Sequence, residues 1–437
     1  MRRNPISIIL ALLCGILIPS CEASQEPNPK PNILFILADD VGREVLGCYG
    51  GSSYETPRID SLADSGMKFT NAYVMPVCHP TRVALLSGQY PFQLGNPEWG
   101  TYPKKAEGDT LPNVLKRAGY STAVAGKWQL ALLKNDLSQP HRMGFDEYCL
   151  FGWHEGARYH SPFIYQNGKL REGLQDAYGP EVYTDFLIDF MKDCKTKQTP
   201  FFAFYSMALC HNVTDDLDGP VPFAPHGKYD DYHQMVEQMD RMVGKMIDAI
   251  ENLGIAGETM IVFLTDNGTP KFVITDYQDG KLVEEPVTSR FGDREIPGGK
   301  GDATDWGTRV PLLVRWDGVV EGGSATEAMV DSVDFFPTFA EAGKARLPKD
   351  ISYFGKSFLA ILTEESNEGR EWVFAGRNEN DFVRTNDWKL HGDGRLFDMA
   401  TDPDEQEPLG PGDEASEKAK AARIHLQSIL ESLKLSD

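Results

Sequence analysis

The residues best suited to chemistry lie at positions 78–82, which read CHPTR. Pro80 suits the first position of a helix, and Gly88, after an apolar run, suits its end. In such a helix Arg82 lies one turn beyond Cys78 on the same face. The free backbone N–H groups and the positive end of the helix dipole then point at Cys78. Together these groups can hold a tetrahedral oxyanion; the alternative is a buried cysteine beside a surface arginine.

Carboxylates form a second candidate group, because acidic residues follow two apolar runs. Asp39 and Asp40 come directly after one run, and Asp266 and Asn267 come after another. If they converge, each pair 4 Å apart repels by about 4 kcal/mol at an effective dielectric constant near 20, which a proton or a cation relieves. Carboxylate and amide oxygens suit a hard ion, and this flexible set favours Ca²⁺ over Mg²⁺. For Asp39 and Asp40 alone, a solvated turn or a helix cap is the alternative.

Basic residues also stand near the ends of apolar runs. They are Lys127, His211, Lys300 and Arg309. Lys300 is flanked by glycines at 298, 299 and 301, which would let the backbone approach a bound group. With Arg82 and a metal ion, Lys127, Lys300 and His211 would clamp the transition state of sulfuryl or phosphoryl transfer. Any one lysine alone is more simply a solvated side chain.

Four continuous apolar runs predict the strands that would position these groups. The runs lie at 33–38, 122–125, 201–205 and 260–264. Continuous rather than alternating apolar residues are typical of parallel strands that are covered on both faces. Helical patterns lie between them, most clearly at 229–253, where methionines recur at three- and four-residue steps and indicate core packing. Because such sheets bind ligands beyond the carboxyl ends of their strands, we expect one shared site there.

A break in the pattern near residues 340–350 predicts a division of the chain. We expect a signal segment at 1–23, a catalytic domain at 30–345 and a C-terminal subdomain at 346–437. The catalytic domain is predicted to be α/β, with a large, mostly parallel central sheet flanked by helices. The smaller subdomain is predicted to be α+β, with a short antiparallel sheet and a final helix from about 417 to 435.

Charge and the N-terminal residues limit the class of protein. The 437 residues carry a formal net charge of -22, which argues against nucleic-acid binding and leaves any anion site dependent on a few local cations. Two arginines precede a short apolar stretch, which is the pattern of an export signal. Cys21 follows a lipobox-like sequence and would carry lipid that attaches the protein to a membrane; cleavage after Ala23 is the alternative. We expect a periplasmic or outer-membrane-anchored lipoprotein, with secretion as the alternative.

The remaining cysteines have no role that the sequence assigns. They are Cys48, Cys149, Cys194 and Cys210. One or two disulfides, or four buried thiols, fit the sequence equally well. Zinc binding is not indicated, because no Cys-x-x-Cys pattern occurs.

The sequence at 78–82 resembles the signature of the sulfatases, in which a cysteine is oxidised to formylglycine. Other sulfatase-like segments follow in the family's order, and together they span nearly the whole mature chain. They lie at 32–40, 119–122, 126–128, 201–211, 265–268, 300 with 309–311, 334–338 and 388–390. The resemblance implies a formylglycine-dependent, arylsulfatase-like enzyme with the fold of the alkaline phosphatase superfamily.

The resemblance also implies a mechanism and a cofactor. Residue 78, as hydrated formylglycine, would attack sulfur with the help of Ca²⁺ and Arg82, and its second hydroxyl would then expel sulfate. The metal ligands would be Asp39, Asp40, Asp266 and Asn267, with Cys78 near the ion. Lys127 and Lys300 would bind the sulfate, and His211 would contact it or protonate the leaving oxygen. A formylglycine-generating maturation enzyme would be a necessary partner.

Two positions depart from the family pattern. Thr81 replaces the usual serine and keeps a hydroxyl. Gln129 stands where the family usually has a histidine that helps to activate the nucleophile or to release sulfate. Glutamine forms hydrogen bonds but cannot move a proton at neutral pH. We therefore expect slowed sulfate release, or the use of another histidine: His79, His154 or His160.

Substrate-facing residues are expected in loops rich in aromatic residues. Besides Gln129 and Arg309, the candidates are Trp99, Trp153, His154, Arg158 and His160, with ordinary loop packing as the alternative. By analogy with exported bacterial sulfatases, the expected substrate is a sulfated polysaccharide or its oligosaccharides. The alternatives are a phosphonate or phosphodiester hydrolase on the same framework, and a slow or non-catalytic relative that binds sulfated glycans.

Overall fold

The computed structural model describes residue 1 and residues 30–212, 229–279, 281–377, 380–410, 412 and 416–434. Apart from Met1, the predicted signal segment, with Cys21 and the cleavage site after Ala23, lies outside these residues. Within the described residues, no helix combines the length and the apolar character that crossing a membrane requires.

The bounds of the strands and helices are as follows. In chain order the strands are β1 (Asn32–Ala38), β2 (Met67–Tyr73), β3 (Ser121–Gly126), β4 (Glu147–Phe151), β5 (Ile164–Gln166), β6 (Lys169–Leu170), β7 (Phe201–Ser206), β8 (Thr259–Thr265), β9 (Phe272–Gln278), β10 (Lys281–Pro286), β11 (Thr288–Phe291), β12 (Arg294–Pro297), β13 (Arg309–Arg315), β14 (Ser324–Asp331), β15 (Val373–Arg377), β16 (Asn380–Arg384), β17 (Trp388–His391) and β18 (Leu396–Asp398). The α-helices are α1 (Pro57–Ser65), α2 (Cys78–Ser87), α3 (Leu111–Arg117), α4 (Gln139–Arg142), α5 (Gly179–Lys197), α6 (Tyr232–Asn252), α7 (Asp305–Thr308), α8 (Phe335–Ala342), α9 (Leu359–Leu362) and α10 (Glu417–Lys434).

A ten-stranded sheet forms the centre of the described chain. Its strand order is β14-β2-β13-β8-β1-β7-β3-β4-β5-β6. The strands β8, β1, β7 and β3, which contain the four predicted apolar runs, are neighbours and run parallel. Strands β13 and β5 run antiparallel to their neighbours. The sheet is therefore mostly parallel, which confirms the predicted fold class, and the residues that follow its four central strands meet at one edge.

Both faces of the central strands are covered. Along β1, Leu34 and Ile36 belong to the core beneath α5 and α6, whereas Phe35 and Leu37 belong to the core beneath α2 and α8. Phe35 stacks there on Phe204 of β7, with 5.2 Å between the ring centroids. Because successive side chains of a strand point to opposite faces, a strand covered on both faces has to be apolar throughout.

The clearest predicted helix, at 229–253, corresponds to α6. Asp231 caps it by accepting a hydrogen bond from the backbone N–H of Gln234 over 2.8 Å. The methionines at the expected spacing are all buried in the core, namely Met235, Met239, Met242 and Met246. The periodicity therefore predicted both the helix and its buried face.

The last part of the described chain is the predicted α+β arrangement. Strands β15 to β18 form an antiparallel sheet, and α10 follows it. Helix α10 buries Leu426 and Leu430, whereas Ile424 of the same pattern is 72% exposed. The core beneath α10 also contains Met75 and Ala84, so this part of the chain packs around the start of α2.

A buried charge cluster joins the C-terminal sheet to α7. Asp305, the first residue of α7, contacts the guanidinium of Arg384 on β16. The Nζ atom of Lys389 on β17 lies 3.8 Å from Asp305 and donates to the carbonyl of Ala303 over 2.6 Å. This cluster therefore holds the segment that follows Lys300.

The four cysteines without an assigned role are thiols in the structure. Cys149, Cys194 and Cys210 are buried, and Cys48 is half-buried. The described residues therefore favour the buried-thiol alternative over disulfide pairing.

Candidate active site

Helix α2 places Cys78 and Arg82 one turn apart. It begins at Cys78, so the prediction that Pro80 is its first residue is wrong. Pro80 occupies the third position, where its missing N–H is harmless because first-turn N–H groups have no partner within the helix. The helix ends at Ser87, and Gly88 follows it with a φ of 67°, where an added Cβ atom would lie 2.8 Å from the Phe336 ring.

Thr81 joins α2 to the end of β8. Its buried hydroxyl is 2.8 Å from the carbonyl oxygen of Asp266 and 3.2 Å from the carbonyls of Met75 and Val77. A serine hydroxyl could make the same bond, so the difference from the family signature does not remove this anchor. The hydrogen bond holds the amino end of α2 beside the residues that follow β8.

Three buried carboxylates meet at the carboxyl edge of the sheet. Oxygens of Asp39, Asp40 and Asp266 all lie within 4.8 Å of one another, and we call these residues the acidic cluster. Asp40 has a φ of 59°, and its N–H donates to Asp266 Oδ1 over 3.2 Å. The two acidic strand ends thus converge, as the sequence predicts.

Arg82 and Lys127 place positive charge against the acidic cluster. The Nη2 atom of Arg82 is 2.7 Å from Asp266 Oδ2 and 3.4 Å from Asp39 Oδ2. Lys127 Nζ also contacts Asp39. Burial, reinforced by the charge of Asp266, raises the pKa of Asp39 to about 8 in spite of Lys127. The cluster therefore favours additional positive charge, either a proton or a metal ion.

The donor atoms of this region fit a hard divalent cation. Asp39 Oδ1 and Asn267 Oδ1 are buried and accept no hydrogen bond from a described residue. The amide nitrogen of Asn267 donates to Asp40 Oδ1 over 2.8 Å. Three carboxylates and an amide provide only oxygen donors, which suit Ca²⁺ or Mg²⁺ better than a metal that prefers sulfur or nitrogen.

Lys300 lies on the loop between β12 and α7. Its Nζ atom is 2.7 Å from Asp40 Oδ2. Burial lowers the pKa of Lys300, but the charges of Asp40, Cys78 and Asp39 and the hydrogen bond to Asp40 together raise the pKa above its ordinary value. A Cβ atom at Gly298 or Gly299 would come within 2.0 and 2.4 Å of the backbone of Pro270 and Trp306. The packing of the loop therefore requires these two glycines, and the approach of the backbone to a bound group stays a prediction.

Cys78 faces the acidic cluster. Its Sγ atom, an oxygen of Asp39 and a ring nitrogen of His211 lie within 4.8 Å of one another. Burial raises the pKa of the Cys78 thiol, although the charge of Lys127 opposes this shift. A protonated thiol is a weak nucleophile. An unmodified Cys78 is therefore poorly suited to attack an ester.

Gln129 contacts Cys78 directly. It lies shortly after β3, and its Nε2 atom donates to Cys78 Sγ over 3.1 Å. Its Oε1 atom is buried and has no hydrogen-bond partner within the described part of the chain. The structure thus places Gln129 next to the candidate nucleophile.

His211 lies beyond the end of β7. Its Nδ1 atom is 2.9 Å from Arg158 Nη1, and its carbonyl accepts a hydrogen bond from Tyr159 over 2.8 Å. Burial, followed by the charges of Lys127, Lys300 and Arg158, lowers the pKa of His211 well below its usual 6.5. A neutral imidazole can donate one N–H to sulfate. This role fits the pKa better than protonation of a leaving oxygen does.

Three aromatic residues, Trp99, Trp153 and His154, pack together near the site, and we call them the aromatic rim. Trp99 is 41% exposed and packs edge-on against Trp153 and His154, at centroid distances of 5.0 and 5.3 Å. The Trp153 ring lies 5.6 Å from Lys127 Nζ. Arg158, a predicted substrate residue, is instead buried against Trp153, with 4.7 Å between its guanidinium and the ring centroid.

Three further predicted residues have other contacts. His160 packs against Tyr178 at a ring distance of 5.0 Å. Arg309 Nη1 lies 3.4 Å from Asp305 and belongs to the charge cluster of α7. The ring of His79 contacts a backbone carbonyl over 3.0 Å. None of these contacts involves the acidic cluster.

A cavity of about 480 Å³ opens beside Cys78. The amino end of α2, the segment 91–99, strands β15 and β16, and helix α10 surround it. Its lining includes Phe92, Glu98, Trp99, Phe374, Asp381 and Leu430. Its volume lies in the range of small-molecule sites.

Sequence reasoning missed Ser206, the last residue of β7. Its hydroxyl contacts Arg82 Nη1 and donates to the carbonyl of Lys127 over 2.6 Å. Ser206 therefore connects two cations of the site. Ser206 could have been predicted from the sequence, because it is a polar residue at the end of an otherwise apolar strand.

A mostly parallel α/β sheet with this edge constellation is the architecture of the type I sulfatases of the alkaline phosphatase superfamily. The family model described as Sulfatase matches residues 31–345. A model described as N-sulphoglucosamine sulphohydrolase, C-terminal, matches residues 304–432. The first match covers most of the chain, so the chain belongs to the sulfatase family and is an enzyme that hydrolyses sulfate esters.

Curated relatives are similar along most of their length. Arylsulfatase A of Homo sapiens is 28% identical over 425 residues, which cover 89% of this chain and 78% of the relative. N-acetylglucosamine-6-O-sulfatase of Bacteroides thetaiotaomicron is 23% identical, with 96% and 90% covered.

Solved structures share the fold. Ps i-CgsB in complex with k-i-k-neocarrahexaose has a TM-score of 0.72 and 25% identity, and 93% of each chain is covered. Phosphonate monoester hydrolase of Agrobacterium radiobacter has a TM-score of 0.60 and 19% identity, with 93% of this chain and 95% of that chain covered. The second likeness shows a common fold alone.

Proposed function

We propose that this sulfatase hydrolyses sulfate esters of carbohydrates at the site around Cys78, with formylglycine made from Cys78 and a bound Ca²⁺. One observation carries the proposal: Cys78, the acidic cluster and the cations Lys127 and Lys300 meet at one edge of the sheet. Fixed positive charges around a reacting tetrahedral anion are the main requirement for sulfate transfer.

Formylglycine would supply two hydroxyl groups when hydrated, one for attack on sulfur and one for the later release of sulfate. The sequence at 78–82 and the raised pKa of the Cys78 thiol support this modification. Arg82, one turn along α2, would stabilise negative charge on residue 78. A formylglycine-generating enzyme would be the partner that the protein needs before it can act.

The metal ligands would be Asp39, Asp40, Asp266 and Asn267. The two buried oxygens without hydrogen bonds, Asp39 Oδ1 and Asn267 Oδ1, support this set. Ca²⁺ there would supply positive charge to the sulfate and to the nucleophile. The flexible oxygen donors favour Ca²⁺ over the smaller Mg²⁺.

The protein's own groups would hold the ester. Lys127 and Lys300, which lie beside the acidic cluster, would bind sulfate oxygens. His211 would add an N–H donor, and Gln129 would orient the nucleophile through the hydrogen bond that it makes to residue 78. Each of these groups is preorganised by burial, which strengthens its effect on developing charge.

A sulfated polysaccharide or oligosaccharide is the proposed substrate. Trp99, which is 41% exposed, offers a flat surface that suits a sugar ring, and the buried Trp153 packs against it. The cavity beside Cys78 has the volume of a small-molecule site, and Trp99 is part of its lining. The names of the similar proteins support the same class, since they mention a neocarrahexaose complex and N-acetylglucosamine-6-O-sulfatase.

A slow or non-catalytic sulfated-glycan-binding protein is the second candidate. The observation that favours it is Gln129, which contacts Cys78 but cannot transfer a proton. Glycan binding without sulfate release, by protein whose residue 78 is verified as formylglycine, would establish this alternative.

Export is the proposed fate of the chain, on the basis of its first 23 residues. Lipid on Cys21 would attach the mature protein to a membrane, whereas cleavage after Ala23 would release it. Metabolic labelling with a fatty acid, compared between wild type and Cys21→Ala, distinguishes these two outcomes.

The central test is sulfate release from a panel of sulfated oligosaccharides by protein co-expressed with a formylglycine-generating enzyme. Mass spectrometry of the peptide that contains residue 78 measures the conversion. Cys78→Ala should abolish release, whereas Cys210→Ala, which removes another buried thiol, should retain it. Full activity with an unmodified Cys78, or faster cleavage of an aryl phosphonate than of an aryl sulfate, would contradict the proposal.

A further inference from the structure

We propose that Thr269 is a positioning residue whose hydroxyl fixes the spacing between the two pairs of proposed metal ligands. One pair, Asp39 and Asp40, follows β1, and the other, Asp266 and Asn267, follows β8. Thr269 lies two residues beyond the second pair and acts through it. This inference rests on the proposed function, because it concerns how the proposed Ca²⁺ site is held together.

The hydroxyl of Thr269 joins the segments that follow β1 and β8. The N–H of Gly42 donates to Thr269 Oγ1 over 2.9 Å. A backbone N–H can only donate, so the hydroxyl proton of Thr269 remains for another partner. That partner is Glu44 Oε1, which the hydroxyl also contacts. Both hydrogen bonds of the hydroxyl therefore lead to the segment that carries Asp40.

Glu44 is a buried carboxylate that the proposed reaction does not use. Among the described residues, the sets of three acidic, cysteine or histidine side chains whose ligand atoms lie within 4.8 Å of one another do not include Glu44. Gly42 makes room for this carboxylate, since a Cβ atom at position 42 would overlap it. A buried polar group needs a hydrogen bond, and Thr269 provides one. Glu44 therefore orients the hydroxyl of Thr269.

The backbone of Thr269 holds a third segment of the site. Its carbonyl accepts a hydrogen bond from the N–H of Lys300 over 2.9 Å. The next N–H, that of Gly301, donates to the carbonyl of Pro76 over 2.8 Å, two residues before Cys78. Thr269 therefore lies where the segments of the metal ligands and of a proposed sulfate-binding lysine meet.

The link through Thr269 differs from the direct bonds between the two ligand pairs. The amide of Asn267 donates to Asp40 Oδ1, and the N–H of Asp40 donates to Asp266 Oδ1, so both bonds occupy ligand oxygens. The bond between Gly42 and Thr269 uses no ligand atom and is compatible with an empty or a filled site. It therefore opposes the separation of the repelling carboxylates before the ion binds, and a preorganised site binds more tightly.

Titration of chelator-treated protein with Ca²⁺, followed by isothermal titration calorimetry, tests this role. Thr269→Val keeps the shape and removes the hydroxyl, and should weaken Ca²⁺ binding by roughly 10–100-fold, the range for groups that orient metal ligands. Thr269→Ser, which keeps a hydroxyl, should recover most of this loss. Glu44→Met should also weaken binding. Glu44→Gln, whose amide oxygen can still accept a hydrogen bond, should bind Ca²⁺ more tightly than Glu44→Met.

Thr338→Val is the matched control. Thr338 on α8 is also buried, and its hydroxyl accepts from the N–H of Phe358 over 3.0 Å and donates to the carbonyl of Asp334 over 2.7 Å. These two bonds lead to no member of the acidic cluster. Thr338→Val should therefore lower thermal stability and leave the Ca²⁺ affinity unchanged. If the role of Thr269 were only structural, the two valine variants would behave alike.

Hydrogen exchange of the metal-free protein, measured by mass spectrometry, tests the link itself. The peptide that contains Gly42 should exchange faster in Thr269→Val than in wild type, and Thr269→Ser should restore the protection. Equal exchange of this peptide in wild type and Thr269→Val, or equal Ca²⁺ affinities of these two proteins, overturns the inference.

Neither measurement needs a sulfate ester or formylglycine, so the inference and the proposed function can fail separately. The predicted losses of affinity in a protein that releases no sulfate would support the inference and contradict the proposed reaction. Wild-type protein that binds no Ca²⁺ would contradict both. If thermal unfolding shows that Thr269→Val does not fold, Glu44→Met and Glu44→Gln decide the question, and equal Ca²⁺ affinities of these two variants overturn the inference.

Discussion

The amide nitrogen of Gln129 donates a hydrogen bond to the sulfur of Cys78 over 3.1 Å, and the amide oxygen of Gln129 is buried without a partner among the described residues. Sulfatases usually have a histidine at this position. Gln129 can orient the nucleophile there but cannot accept its proton. We expect the release of sulfate, which needs that proton to leave residue 78, to limit turnover.

Replacement of Gln129 tests this expectation. Gln129→His should accelerate sulfate release, because a positioned general base typically contributes roughly 10²–10⁴-fold. Gln129→Leu, which has no hydrogen-bonding group, should slow attack and release. Rapid-mixing kinetics with an aryl sulfate separates the first release of aryl alcohol from steady-state turnover. An unchanged rate of sulfate release in Gln129→His would count against the hypothesis.

Removal of divalent metal should inactivate and destabilise the protein. When a chelator removes the cation, the carboxylates of the acidic cluster repel one another without compensation. Ca²⁺ should restore activity and thermal stability more fully than Mg²⁺. At a free Ca²⁺ concentration about 100 times its dissociation constant, the stabilisation is about 2.7 kcal/mol. Differential scanning calorimetry with and without Ca²⁺ measures it.

A matched pair of variants locates the ion. Asp40→Asn should reduce the Ca²⁺-dependent shift in melting temperature, because it removes one of the three clustered carboxylates. Asp317→Asn removes a carboxylate that pairs with Arg315 elsewhere and should keep the full shift. Equal shifts in both variants would refute the assignment of the acidic cluster to the metal.

Lys300 should contribute to binding of the ester. Lys300→Ala is expected to lower kcat/KM by roughly 10–150-fold, since a hydrogen bond to a charged group contributes about 1.5–3 kcal/mol. Product inhibition by inorganic sulfate should weaken by a similar factor. Lys271→Ala is the control, because Lys271 pairs with Asp302 near the same loop but is half exposed. Unaltered inhibition in Lys300→Ala would remove Lys300 from the sulfate site.

The charge cluster of α7 should stabilise the fold in a pH-dependent way. Burial alone raises the pKa of Asp305, but the charges of Arg384, Lys389, Arg309 and Arg43 together outweigh burial and lower the pKa below its ordinary 3.8. A lowered folded-state pKa stabilises the protein above about pH 4, and that stabilisation is lost as the pH falls below this value. Asp305→Asn should therefore cost about 3–5 kcal/mol at neutral pH by leaving buried cations unpaired.

Thermal unfolding of wild type and Asp305→Asn between pH 7 and pH 3 measures this effect. The difference in melting temperature should narrow as the pH drops below about 4, since Asp305 of the unfolded chain then takes up a proton while folded Asp305 stays ionised. Asp302→Asn is the control, because its pair with Lys271 is exposed and such pairs contribute about 0–1 kcal/mol. A constant difference at all pH values would show that Asp305 acts through packing and not through charge.

The sequence predicted the central strands because burial on both faces leaves a simple signature. Residues 33–38 and 260–264 are apolar throughout, and in the structure they form β1 and β8, which are adjacent. Asp39 and Asp266, which directly follow these strands, therefore lie at the same edge of the sheet. A short-range pattern was sufficient there, since parallel strands end at the same edge.

Other predictions failed or needed the structure because they depend on contacts between distant segments. Pro80 lies inside the first turn of α2, which begins at Cys78, and Thr81 in the same turn bonds to the end of β8. Arg158 pairs with His211, which is more than fifty residues away. Nothing in the local sequence around these residues specifies such partners.

The sequence by itself determined which chemical groups the site contains and that they follow buried strands, because apolar periodicity and strand-end charges are local properties of the chain. The tertiary structure alone decided how those groups are paired: Gln129 with Cys78, Lys300 with Asp40, and Arg158 with His211. Hydrogen bonds and ion pairs of this kind act over about 3 Å. They therefore depend on the packing of segments that are far apart in the chain.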